Sequence, residues 1–87
     1  RDVPTISRFL GIVITMNYND HDPPHFHARY AGFKISMGIA DGLVEGQFPS
    51  RALAHVVEWW KLHRSELVDN WQRAKQRLPL QTIDPLE

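Results

Sequence analysis

Apolar and polar positions alternate through the first half of the chain and recur at three- and four-residue steps through the second. In "GIVITMNY", residues 11–18, Ile12, Ile14, Met16 and Tyr18 fall on one side and Val13, Thr15 and Asn17 on the other, which is the two-residue period of a strand. "HFHARY" sets Phe26, Ala28 and Tyr30 against His25, His27 and Arg29, and "FKISMGI" sets Phe33, Ile35, Met37 and Ile39 against Lys34, Ser36 and Gly38. Only Ala31 and Gly32 separate the last two segments. Such a connection predicts a tight hairpin in which glycine supplies the positive φ.

That turn fixes a register. With Tyr30 opposite Phe33, Arg29 faces Lys34, Ala28 faces Ile35, His27 faces Ser36 and Phe26 faces Met37, so apolar residues meet apolar ones. A slip of one residue would turn a whole strand over. Matching faces with the first segment brings Thr15 and Asn17 beside His27 and Arg29. The sheet then has one apolar face and one polar face, the latter carrying Thr15, Asn17, His25, His27, Arg29, Lys34 and Ser36. A short fourth strand fits around Leu43 to Glu45, which makes residues 4–45 a β-meander.

Helical spacing takes over after Pro49. Ser50 stands as an N-cap before Leu53, Val56, Val57 and Trp60, and a second stripe runs Leu67, Trp71, Ala74, Leu78. "HRSE" interrupts the stripes and Ser65 offers a second cap, so two helices joined near His63 to Ser65 are preferred over one bent helix. Residues 50–78 form this helical part. Trp59 and Trp60 are adjacent and cannot both sit on a narrow stripe; Trp60 fits it better, which leaves Trp59 partly exposed as an anchor for a partner, although wide apolar stripes often bury both. The tail from Pro79 to Glu87 is proline-punctuated, and lies extended over the domain or reaches a partner. The expected fold is α+β: a small antiparallel sheet of three to four strands with one or two C-terminal helices on its apolar face.

Composition narrows the function classes. The 87 residues make one domain, and 43% hydrophobic content sets the chain apart from disordered sequences. The absence of cysteine excludes disulfides and thiolate zinc sites. "FLGIVITM" is too short to span a bilayer, so a cytoplasmic protein without membrane attachment is expected. The chain begins at Arg1 rather than at methionine, as a fragment or processed chain does. A net charge of +0 denies it a global basic field, and any nucleic-acid site must be a local patch. The basic "QRAKQR" sits at a helix C-terminus, where the dipole already favours cations.

The candidate chemistry lies in "NDHDPPHFHARY", residues 19–30, which holds three of the five histidines. His25 and His27 project from one face of a strand, about 7 Å apart at the backbone. One metal can be shared between them. Asp20, His21 or Asp22 on the adjoining loop is then a third ligand, with zinc or a similar divalent transition metal preferred by imidazole. A second reading needs no metal: Arg29 opposite Lys34 is a repulsive pair that an anion relieves, and His25 and His27 act as acid and base on a phosphodiester held by those cations. The bland alternative is a polar hairpin whose histidines simply face water.

"PTISRFLGIVITMNYNDHDPPHFHARY", then "RALAHVVEWWKLHRSELVDNW" and "PLQTIDPLE", resemble the small bacterial family catalogued as domain of unknown function four-one-six-zero, from Pro4 to the end of the chain. Members of that family are often encoded beside a second small family, an arrangement that has suggested toxin–antitoxin pairs. The resemblance implies a bacterial cytoplasmic protein with a small protein partner encoded nearby, and supplies no mechanism. A partner-binding component of a two-gene module is therefore the leading expectation. A histidine-dependent ribonuclease or phosphodiesterase is the alternative, and self-association stays open.

Overall fold

The computed structural model of the chain describes residues 3–87. Arg1 and Asp2, counted in the expected domain, lie outside the described residues. Five antiparallel strands, β1 (Thr5–Phe9), β2 (Ile12–Thr15), β3 (His25–Tyr30), β4 (Phe33–Gly38) and β5 (Val44–Gln47), pair in chain order. Two helices follow, α1 (Ser50–Leu62) and α2 (Arg64–Lys75). The α+β class holds, with more strands than the three to four expected.

The β3–β4 hairpin has the register deduced from the alternation, from Tyr30 opposite Phe33 to Phe26 opposite Met37. Its turn uses positive φ at both Ala31 (49°) and Gly32 (85°). Leu10 (52°) and Gly11 (79°) repeat that geometry between β1 and β2. Two successive positive φ values are what a two-residue turn requires to match the twist of its strands.

Strand β1 escapes the alternation because it contains a bulge. Thr5 pairs with Thr15 and Ser7 with Ile14, which leaves Ile6 as the extra residue. Ile6, Ser7 and Phe9 are consequently all buried, and the two-residue period is lost. Strand β2 is shorter than "GIVITMNY" suggests. It ends at Thr15, and Tyr18 turns away to donate its hydroxyl to the Leu78 carbonyl at 3.0 Å.

The helices cover the apolar face as expected. Ile14, Met16, Phe26, Ala28, Ile35 and Met37 are buried together with Val56, Trp60, Leu67 and Trp71, while Val57 packs against this core half-buried. The connection is two helices rather than one bent helix. Neither serine caps them, however. Ser50 is the first helical residue after Pro49, and no side chain caps α1. His63 closes α1 and directly precedes α2, so Ser65 falls inside the first turn. The helical part stops at Lys75 instead of Leu78: Arg77 takes a φ of 60°, and Leu78 is exposed.

Trp59 is not a surface anchor. It is 0% exposed, because α1 is covered on two sides, by the sheet and by the tail. Its ring lies 5.5 Å from Phe9 and 5.7 Å from Phe26, and its indole N–H donates to the Asp84 carbonyl at 2.9 Å. Trp60 is buried too and donates to the Ile39 carbonyl at 2.8 Å. From Pro79 the tail runs extended over the domain. Ile83 is buried, and its N–H donates to the Ile6 carbonyl at 2.8 Å.

Asn70 holds the tail in place. Fully buried on α2, it donates its amide N–H to the Gln81 carbonyl and accepts the Gln81 N–H, both at 2.8 Å. Asn70→Ala removes both bonds and leaves a void, so about 2–3 kcal/mol of stability should be lost. Chemical denaturation would measure the loss, and faster amide exchange at Gln81 and Ile83 would locate it. No helix among the described residues is long and apolar enough to cross a membrane.

Candidate metal centre

Strand alternation sends His25 and His27 to the polar face, and the Asn17–Pro24 loop folds back over them. Asn17 lies beyond the end of β2 and off the ladder; its amide donates to Asp20 Oδ2 at 3.1 Å. That contact aims the Asp20 carboxylate at the strand. The Nε2 atoms of His25 and His27 each lie 3.1 Å from the same Asp20 oxygen. One ligand atom from each of the three residues falls within 4.8 Å of the others. Ligands of a tetrahedral zinc ion, at about 2.0–2.2 Å from the metal, sit roughly 3.4 Å apart. The spacing is that of a three-ligand site.

The hydrogens of His25 sharpen this. Its Nδ1 lies 2.9 Å from the Pro23 carbonyl oxygen, which can only accept, so Nδ1 carries the hydrogen. In the neutral ring Nε2 is then a bare lone pair aimed at a carboxylate oxygen. Two lone pairs at 3.1 Å repel unless a cation, a proton or a metal ion, lies between them. A backbone carbonyl that fixes the far ring nitrogen is also the usual support of a metal-ligating histidine.

Of the loop residues proposed as third ligand, Asp20 takes the position. His21 is exposed, its ring 6.5 Å from that of His25. Asp22 instead reaches Lys75 Nζ at 3.7 Å. His25 departs from the expectation of a histidine clear of the helices. It stands at the sheet margin, its ring 5.4 Å from Trp71 of α2, so one wall of the centre is a buried tryptophan.

The centre opens into a groove of about 450 Å³, lined by His25, His27, Ser36, Gly38 and, from the β5 side, Asp41 and Glu45. A neighbouring depression of about 490 Å³ shares His27 with it and is lined by Arg8, Arg29, Lys34 and Thr15. Thr15 stands opposite His27 as expected, whereas Arg29 faces Val13 on β2 and Lys34 on β4. The sequence reading missed Arg8. Its signal was "TISRF" itself, once a strand is allowed a bulge.

A family model described as "Domain of unknown function (DUF4160)" matches residues 11–72. No curated protein and no solved structure matches the chain.

Proposed function

The chain belongs to the DUF4160 family, and from that premise we propose a metal-dependent phosphodiesterase working from the polar face of the sheet. The observation that carries this reading is the meeting of His25 Nε2, His27 Nε2 and Asp20 Oδ2. Three protein ligands with a fourth position open to a groove is the catalytic rather than the structural arrangement. Zinc or a similar divalent transition metal fits two imidazoles and a carboxylate. Such an ion supplies Lewis acidity and an activated water. Arg29 and Lys34, beside His27, supply positive charge for a phosphodiester's non-bridging oxygens. The water oxygen forms a bond to phosphorus, one ester P–O bond breaks, and the departing oxygen takes up a proton.

Two measurements test this together. Protein purified without a histidine tag should carry about one metal per chain by elemental analysis, and His25→Ala combined with His27→Ala should abolish it. His27→Gln should keep the fold and lower RNA cleavage at least about a hundredfold. A wild-type chain that takes up no zinc at saturation, or a His27→Gln variant that cleaves RNA as well as the wild type does, overturns the reading.

A partner-binding role in a toxin–antitoxin-like pair is a second reading, supported by β5. This edge strand is exposed from Glu45 to Gln47 and pairs on one side only, and such edges accept a partner's strand. Trp59, an earlier candidate for that contact, is buried in the fold, whereas the tail from Pro79 lies along the surface with only Ile83 buried. Co-expression with the neighbouring gene product should slow amide exchange at residues 44–47 if the edge is used; unchanged exchange in a stable complex excludes it.

A further inference from the structure

Strand registers sort the polar face into rows. Arg8 lies opposite Val13, Val13 opposite Arg29, and Arg29 opposite Lys34, so three cations stand in one row across four strands. The next row holds Thr15, His27 and Ser36, about 7 Å further along the strands. All three cations are exposed, and none takes part in an ion pair among the described residues. Directly opposed like charges such as Arg29 and Lys34 destabilise a sheet, and a ligand that carries several negative charges would relieve the repulsion.

We propose that the Arg8–Arg29–Lys34 row is a track for the phosphate backbone of a single-stranded nucleic acid, which it holds alongside the metal centre. The inference rests on the phosphodiester reading above and names its substrate class. From Arg8 to Lys34 the row crosses three inter-strand steps, about 14 Å, the reach of a few nucleotides. A lone mononucleotide cannot span it. Asp41 and Glu45 line the groove on the β5 side and Asp20 and Asp22 on its loop side, whereas the depression beside it is lined by Arg8, Arg29 and Lys34, so charge draws a polyanion to the cation row. Reading a duplex by its bases requires an element that enters a groove, but both helices pack on the opposite face. Neither row carries a Phe, Tyr or Trp side chain for bases to stack on. Recognition therefore falls on phosphates, is tolerant of sequence and depends steeply on salt.

The test is fluorescence anisotropy with a labelled 12-nucleotide oligouridylate in EDTA, which separates strand binding from metal chemistry. The wild type should bind with a log–log salt slope near −2, about 0.7 for each of three phosphates neutralised. Arg8→Gln, Arg29→Gln and Lys34→Gln should each take about 0.7 from that slope, and the triple variant should bind at least tenfold more weakly at low salt. Zinc content of the triple variant should equal that of the wild type, so a failed track and a failed metal site give different results. The proposal is overturned if the wild type does not bind the oligonucleotide, if the triple variant keeps its slope, or if polyglutamate or a 12-base-pair duplex competes as strongly as the single strand.

Discussion

Trp59→Ala should remove about 3–5 kcal/mol of stability, the cost of deleting a buried tryptophan, and leave the chain partly unfolded at 37 °C. Small domains hold only about 5–15 kcal/mol in all. The site is expensive because two structures meet there. The indole packs on Phe9 and Phe26 of the sheet, and its N–H anchors the tail at Asp84, so the deletion opens a cavity and frees the tail at once. Trp59→Phe separates the two effects. It keeps an aromatic ring in the cavity, and should cost roughly 1–2 kcal/mol, close to one hydrogen bond and the smaller ring. Urea denaturation of both variants would test the account, and a loss below about 1 kcal/mol for Trp59→Ala would show that the tail and sheet do not depend on this residue.

The same residue marks a limit of reading this sequence by periodicity. A stripe of Leu53, Val56 and Trp60 describes a helix with one covered face. Helix α1 is covered on more than one side, and the second cover is the tail, whose burial depends on Asn70 and Ile83 and on no periodic pattern. The β3–β4 hairpin was legible because two strands with clean alternation flank a two-residue turn, so one register alone matched every face. Strand β1 was hidden by the bulge at Ile6, and Arg8 was hidden with it.

For the site, the strand contributed what could be read and the loop what could not. His25 and His27 had to share a face, since side chains two apart on a strand do so. Asp20, His21 and Asp22 could not be ranked, because the loop's path depends on Asn17 bonding to Asp20 and on the Pro23 carbonyl bonding to His25. Both contacts arise from the folded loop, and neither follows from spacing.

Zinc should raise the melting temperature of the wild type strongly, and Asp20→Asn should abolish that rise. An ion bound only by the folded chain at a thousandfold excess over its Kd adds about 4 kcal/mol. At about 4–8 °C per kcal/mol for a domain of this size, the shift should be on the order of 15–30 °C. An asparagine amide has the same shape as the carboxylate. It is nonetheless a far poorer zinc ligand than a carboxylate. A polar hairpin with no metal role would be left unshifted by zinc in both proteins. Differential scanning calorimetry of both proteins, in EDTA and in zinc, reads the shift; equal zinc shifts in the wild type and Asp20→Asn would remove Asp20 from the centre.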